Sequence, residues 1–142
     1  MDDIKKYLDI ITKTNEIALA TSIDNVPNVR ILNVIVKPEQ PQILYFASDR
    51  SCRKVSEFAQ NNAVAFTSVP HGEIAHVRSN KSSVQKSKLT LADVQGQLIA
   101  TIPGYDETIA AIGETLDIFE IHVKEAVVIP SIDENELAFI KF

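Results

Sequence analysis

The chain has 142 residues, of which 45% are hydrophobic and 23% are charged, and its formal net charge is −5. This length and composition predict one compact domain over residues 1–142 and exclude a disordered or fibrous chain. The acidic balance excludes a general nucleic-acid binder, and the lack of an apolar run of ~18 residues or of a secretory signal predicts a cytoplasmic protein without a membrane partner.

The first half of the chain predicts one helix followed by strands. Residues 2–14 repeat apolar side chains with the i, i+3, i+4 spacing of an amphipathic helix. Runs rich in β-branched and aromatic residues then predict strands at residues 16–23, 27–37, 42–47 and 63–69. Asp24-Asn25 predicts a tight hairpin turn and residues 38–41 a second reversal, so the first three strands should form an antiparallel meander.

The strand predicted at residues 27–37 is apolar on both faces. Val29 and Ile31 share one face, while Leu32 lies on the other beside Arg30. An antiparallel strand with one solvated face would instead alternate apolar and polar residues. The second face therefore needs a cover, which could come from barrel closure, a ligand or a second subunit, and we expect a homodimer.

The second half of the chain begins with a predicted turn at residues 71–72 and a strand at 73–79, followed by a polar segment at 80–88 that is a loop or a continued strand. Two helices are predicted at residues 89–102 and 106–112, and two closing strands at 118–129 and 137–142. Pro103-Gly104 separates the two helices. The histidines His71, His76 and His122 lack metal-ligand spacing, so no metal site is predicted.

Three cations cluster where the strand at residues 42–47 gives way to a helix. Arg50, Arg53 and Lys54 fall within five positions, and Ser51 is a natural N-cap for the helix. Cations in a first helical turn oppose the helix dipole. A phosphate would remove this conflict, because it accepts hydrogen bonds from free backbone N–H groups and neutralises the side chains. The pattern therefore favours a phosphate site.

Each cationic feature also has a simpler interpretation. The clustered cations could be solvated and pair with Asp49 and Glu57. Arg30 lies in a strongly apolar strand, where an unpaired guanidinium is costly. It could therefore form a structural ion pair with an acid such as Asp49 or Glu73.

Four segments occur in a distinctive order: PNVRILN at residues 27–33, LYFAS at 44–48, SCRK at 51–54 and NNAVAF at 61–66. In this order and spacing the chain resembles the FMN-binding split-barrel family related to pyridoxamine 5'-phosphate oxidase, including its general stress protein-like members. The resemblance implies a mainly β (α+β) fold, a six-stranded antiparallel Greek-key split barrel with peripheral helices. It also implies a homodimer with one FMN in each of two clefts between the subunits.

The resemblance further implies which residues bind FMN. Carried over by position, they are Arg30, Ile31, Leu32, Asn33, Phe46, Ala47, Ser48, Arg53 and Lys54. Arg53 and Lys54 would bind the phosphate, and Arg30 would lie at the flavin ring and ribityl phosphate. Two departures matter: Ile35 replaces a lysine of the oxidase pattern, and the tryptophan-rich C-terminal segment with its Arg-x-His motif is absent. Oxidation of pyridoxamine phosphate itself is therefore not expected.

The predicted function is that of an FMN-dependent oxidoreductase, which transfers hydride or electrons from a reduced donor to an unknown small-molecule acceptor. The cofactor carries the redox step in such a protein, so no catalytic acid or base is assigned. One alternative is a non-catalytic flavin- or haem-binding stress or sensor protein of the same fold. Another is a cofactor-free dimer in which Arg30 and Arg53 form salt bridges.

Overall fold

The computed structural model describes residues 2–142, apart from the side chain of Glu134. Its helices and strands are α1 Asp3–Thr14, β1 Glu16–Ile23, β2 Val26–Asn33, β3 Ile35–Lys37, β4 Gln40–Asp49, α2 Arg53–Gln60, β5 Ala63–Ser68, β6 His76–Lys86, α3 Leu91–Thr101, α4 Tyr105–Ile112, β7 Leu116–Ile129 and β8 Ala138–Lys141. Short 3-10 turns lie at Gly113–Thr115 and Glu134–Glu136. Among the described residues, no helix is both long and apolar enough to cross a membrane.

The strands form one antiparallel sheet in the order β2-β1-β5-β6-β7-β4-β3, with β8 added at the free part of β7. This confirms the predicted mainly β fold with peripheral helices. The expected count of six strands is not confirmed, because the sheet has eight. The run predicted as one strand at residues 27–37 is interrupted at Val34, and β8 pairs outside the main strand order.

The interruption at Val34 determines the shape of the sheet. β2 and β3 are consecutive in the chain but lie at opposite ends of the strand order, so the sheet curls into a half-barrel whose two ends meet at this residue. Val34 donates its N–H to the Asn15 carbonyl at 2.9 Å, and Asn15 Nδ2 donates to the Val34 carbonyl at 3.0 Å. The backbone groups that leave the ladder at the break are thus paired with the residue that ends α1.

Local turn chemistry sets much of the strand pairing. Asp24 and Asn25 have φ values of 51° and 66°, the left-handed pair that a two-residue hairpin turn requires, and they join β1 to β2 as predicted. Strand β6 runs on through residues 80–86, so the strand alternative is confirmed for that part of the polar segment, whereas residues 87–88 lie outside the strand.

Two hydrophobic cores stabilise the half-barrel. The inner core fills the curled sheet and is closed by Tyr7 and Ile11 of α1 and by Phe58 of α2. The outer core packs α3 against β3, β4 and β7, and its buried members are Ile35, Tyr45, Val94, Leu98, Ile102 and Ile118. Because apolar burial is the main stabilising term, α3 is fixed on this part of the outer surface.

The rest of the outer surface, over β2, β1, β5, β6 and β8, lies outside the core in which α3 packs on the sheet, and several of its large apolar side chains are exposed. We call it the bare face. One row across it follows the strand register through Ile31, Ala18, Thr67, Arg78, Val127 and Phe139. Val29 is 63% exposed and Phe139 is 75% exposed. The apolar side of β2 that the sequence predicted to need a cover is therefore largely exposed within residues 2–142.

Tyr7 provides a test of the inner core. The side chain is fully buried, and its hydroxyl has no hydrogen-bond partner among the described residues. Because a desolvated, unpaired hydroxyl is unfavourable, we expect Tyr7→Phe to leave the free energy of unfolding at pH 7 unchanged or to raise it by up to about 1 kcal/mol. Tyr45→Phe is the control, since it removes a hydroxyl bound to Gln40 Oε1 at 3.3 Å and should lower stability. Urea denaturation of both variants measures the difference.

The same residue predicts a decline in stability at alkaline pH. Burial raises the pKa of Tyr7 well above its ordinary value of 10.0, so the unfolded chain loses this proton at a lower pH than the folded chain. The stability from neutral Tyr7 is complete below the unfolded pKa and falls above it by about 1.4 kcal/mol per pH unit. Tyr7→Phe should lack this part of the decline, and an identical alkaline profile in both proteins would contradict the prediction.

Candidate functional site

A cleft opens where β2 separates from β4. Ile35 of β3 pairs with Tyr45 of β4, and in the same register Asn33 would lie opposite Ala47. These two residues do not pair, because β2 has turned away beyond Val34 to join β1. They line opposite sides of a cleft of about 300 Å³. We call this gap between β2 and β4 the seam.

The seam cleft unites predicted and unpredicted residues. Four of the residues implied by the resemblance line it, namely Ile31, Leu32, Asn33 and Ala47. The turn after α3 and the start of α4 supply the remaining lining, which the sequence analysis did not assign to a site: Ile102, Pro103, Tyr105 and Thr108. The Pro103-Gly104 break is visible in the sequence, but only the packing of α3 on the sheet brings it over the seam.

Tyr105 is the titratable group of the seam lining. Burial raises the pKa of its phenol above the ordinary value of 10.0, so the group keeps its proton at neutral pH. Together with the Asn33 amide and the Thr108 hydroxyl, it places hydrogen-bonding groups beside the apolar side chains of the cleft. Such a mixed lining suits a ligand that carries both apolar and hydrogen-bonding parts.

The loop from β4 to α2 differs from its prediction in one respect. The N-cap of α2 is Cys52 and not Ser51. Ser51 is already engaged, because its hydroxyl and its N–H both donate to Asp49 Oδ1, at 2.6 and 2.8 Å. These two bonds, the hydroxyl first, hold the pKa of Asp49 below its ordinary value. The Cys52 side chain makes no capping hydrogen bond with the described residues, so the start of α2 lacks a side-chain cap.

The three clustered cations have different environments. Arg50 donates to the Glu114 carbonyl at 3.0 Å and to Asp117 Oδ1 at 3.3 Å, so its charge is used within the chain. Arg53 and Lys54 form no ion pair with any residue that the structure describes, and the first turn of α2 contains no acid. These two residues therefore do not pair with Asp49 or Glu57 as the simpler interpretation suggested, although Arg53 is exposed to solvent as that interpretation expected.

Arg30 has a partner, and it is neither Asp49 nor Glu73 as the sequence suggested. Its Nη2 lies 2.6 Å from Glu57 Oε1, and its Nη1 donates to Thr21 Oγ1 at 3.0 Å. The side chains of Arg30 and Glu57 are only 19% and 8% exposed. Arg30 is thus held on the inner side of β2, because α2 closes that end of the half-barrel and brings Glu57 to it.

Glu57 and its neighbour Phe58 fix α2 on the half-barrel. The Phe58 ring lies 6.0 Å from that of Phe46 and 5.9 Å from that of Phe119, which stack on each other at 5.4 Å. One ion pair and one aromatic cluster therefore anchor the same helical turn. Because Glu57 and Phe58 fix this part of α2, they also set the orientation of its first turn, which carries the two unpaired cations.

The remaining implied site residues lie inside. Phe46 is part of the aromatic cluster, and Ser48 is buried with its hydroxyl donating to the Asp49 carbonyl at 3.2 Å. The nine implied residues therefore divide between the seam cleft, the start of α2 and the interior of the half-barrel. Arg30, Phe46 and Ser48 form the interior group.

A family model described as pyridoxamine 5'-phosphate oxidase-like matches residues 10–135. The chain belongs to this family. No curated protein sequence matches it. The oxidase-like match covers every segment on which the sequence resemblance was based.

Several solved structures share the oxidase-like fold. General Stress Protein 26 from Bacillus anthracis is 13% identical with a TM-score of 0.70, and the match covers 100% of both chains. A FAD-binding protein from Mesorhizobium loti is 16% identical with a TM-score of 0.61, over 83% of this chain and 85% of that one. A heme-binding protein from Mycobacterium smegmatis is 11% identical with a TM-score of 0.74, over 99% of this chain and 58% of that one. At these identities the likeness concerns the fold alone.

The residues of this oxidase-like chain fit a phosphate-bearing flavin in two respects. The unpaired cations and the uncapped start of α2 suit a phosphate, and the seam cleft suits a ring system. The fit is incomplete at Arg30, whose charge is matched by Glu57.

The buried pair makes a prediction about stability. Arg30→Ala leaves the Glu57 carboxylate buried without its cation, so we expect the free energy of unfolding to fall by about 3 kcal/mol or more. The control is Lys13→Ala, which removes an exposed ion pair with Glu73 and should cost less than about 1 kcal/mol. Chemical denaturation measures the free energy of unfolding of both variants. An equal decrease in the two would show that the Arg30–Glu57 pair contributes no more to stability than an exposed ion pair.

Proposed function

We propose that this chain is a flavoprotein that binds FMN and uses it to transfer hydride or electrons from a reduced donor to a small-molecule acceptor. In the same proposal it is a cytoplasmic homodimer without nucleic-acid or membrane partners. Its sheet is then the six-stranded Greek-key split barrel of the family, if β2 and β3 count as one strand and β8 as an addition.

The proposal rests on the two cations at the start of α2 that form no ion pair with any described residue. Arg53 and Lys54 lie four and five residues beyond the end of β4, the strand that forms one side of the seam. A phosphate monoester there would accept hydrogen bonds from first-turn N–H groups and from both cationic side chains. Without an anion, two like charges oppose the positive end of the helix dipole.

The seam would receive the flavin ring. Ile31, Leu32 and Ile102 give it apolar walls, while Asn33 and the protonated Tyr105 can hydrogen-bond to the polar edge of a ring. FMN, when bound, supplies the hydride and electron chemistry, and the chain binds, orients and shields it. This division of labour needs no catalytic acid or base, and we assign none.

The bare face supports the homodimer. Val29, Ile31 and Phe139 are each more than half exposed. Exposed apolar patches of this kind usually mark an interface. A second copy of the chain would cover this face and would also bound the seam on the side where Ile31 is open to solvent.

The second candidate function is binding of flavin or haem without turnover. A haem would need an axial ligand, and among the residues that the structure places around the seam only Tyr105 is of a type that ligates haem iron. The lining therefore favours flavin. The two candidates are separated by purifying the protein, denaturing it and identifying the released cofactor, and then mixing the holoprotein with reduced nicotinamide without oxygen. Bleaching of a flavin spectrum supports the oxidoreductase, whereas a bound flavin that no donor reduces supports the binding protein.

The phosphate site can be tested with a double variant. Arg53→Ala with Lys54→Ala removes two charge-assisted contacts of about 1.5 to 3 kcal/mol each, so the Kd of FMN should rise at least about hundredfold. Riboflavin, which lacks the phosphate, should bind both proteins equally. Lys5→Ala with Lys13→Ala removes the same charge from α1 and should leave FMN binding intact. Fluorescence titration measures all five affinities, and an unchanged FMN affinity in the Arg53/Lys54 variant would place the phosphate elsewhere.

The dimer can be tested on the bare face. Val29→Glu with Phe139→Glu puts carboxylates into the proposed apolar interface, so we expect a monomer where the wild type is a dimer. Ile99→Glu with Ile112→Glu adds the same charge at exposed positions of α3 and α4 and should leave the mass unchanged. Light scattering after size-exclusion chromatography reports the mass. A double variant that stays dimeric would move the interface to another surface.

A further inference from the structure

The Arg30–Glu57 pair lies one helical turn from the proposed phosphate site. Residues four apart on a helix share a face with about 5–6 Å between their Cβ atoms, so Arg53 precedes Glu57 along the same side of α2. Glu57 Oε1 is 2.6 Å from Arg30 Nη2. A third cation that could serve the phosphate is therefore next to the site, but it is bound to a carboxylate of the chain.

Glu57 itself is an unfavourable neighbour for a phosphate. Its side chain is only 8% exposed, so its charge is poorly screened by water. Its second oxygen, Oε2, accepts a weak hydrogen bond of 3.5 Å from Asn28 Nδ2. A dianion at the start of α2 would face this carboxylate across one turn of helix, while the Arg30 charge that could offset the repulsion is already used.

We infer that Glu57 sets the phosphate selectivity of the site by competing with the ligand phosphate for Arg30. This inference rests on the proposed FMN binding. Glu57 holds the guanidinium in the interior, so the site binds a phosphate monoester with two cations and not with three. Glu57 thereby reduces the preference of this chain for FMN over riboflavin.

The arrangement permits a clean test of this competition. Arg30 Nη1 donates to Thr21 Oγ1 at 3.0 Å and to the Leu19 carbonyl at 3.3 Å, so the guanidinium stays placed when the Glu57 charge is removed. In Glu57→Gln the amide oxygen can still accept from Arg30, but the positive charge is no longer neutralised. The variant thus changes the electrostatics of the site more than its structure.

The experiment is a titration of wild type and Glu57→Gln with FMN and with riboflavin. We expect Glu57→Gln to bind FMN about tenfold more tightly, because the Arg30 charge is no longer neutralised beside the phosphate, and to bind riboflavin within about twofold of wild type. The matched control is Glu73→Gln, which removes the same charge at the exposed Lys13 pair, away from α2. It should change neither affinity.

The outcomes separate the inference from the function on which it rests. If neither protein binds FMN, the proposed function fails and the inference fails with it. If both bind FMN equally, the proposed function stands and the inference alone is overturned. If Glu73→Gln tightens FMN binding as much as Glu57→Gln does, the effect is one of net charge, and the competition is again overturned.

A second variant covers the case in which Glu57→Gln does not fold. Arg30→Met with Glu57→Met replaces both charges by apolar side chains, a change that folded proteins commonly tolerate. If the two charges cancel at the phosphate, the ratio of FMN to riboflavin affinity stays within about twofold of wild type. A fall in the preference for FMN over riboflavin by about tenfold or more would show that Arg30 already binds the phosphate, and this result would overturn the inference.

Discussion

The interruption of one strand at Val34 is the constraint on which the architecture depends. A continuous strand over residues 27–37 would pair along its whole length with the same neighbouring strand. The broken strand instead pairs with β1 through β2 and with β4 through β3. The same break joins the two ends of the sheet, leaves the seam between Asn33 and Ala47, and is stabilised by Asn15 at the end of α1. One break in the strand therefore both closes the half-barrel around the inner core and opens the seam in the sheet.

The position of α2 follows from two neighbouring side chains with opposite physical character. Phe58 inserts into the aromatic cluster, and Glu57 meets Arg30 in the interior. Apolar burial supplies most of the attachment energy, while a buried ion pair adds little net stability but penalises any other docking of the helix. In the proposed flavoprotein the cost of this arrangement would fall on the phosphate site, because the Arg30 charge that orients the helix would not be available to the phosphate.

The sequence predicted those features that depend on local chemistry. The hairpin at Asp24-Asn25, the amphipathic α1 and the helix after the cation cluster all follow from patterns within a few residues. No glycine or proline marks the break at Val34, so the sequence pattern predicts one continuous strand over residues 27–37. The partner of Arg30 and the position of Tyr105 over the seam depend on packing between distant segments, which no local pattern contains.

Arg78 limits how two bare faces can meet. It lies in the middle of the exposed row, between Thr67 and Val127. A twofold axis through that point would bring each guanidinium against its own copy, an arrangement of like charges that a desolvated interface does not tolerate. In the proposed homodimer the axis would therefore lie away from Arg78. A single charged residue in the exposed row would thus exclude one mutual orientation of the two copies that an uninterrupted apolar surface would allow.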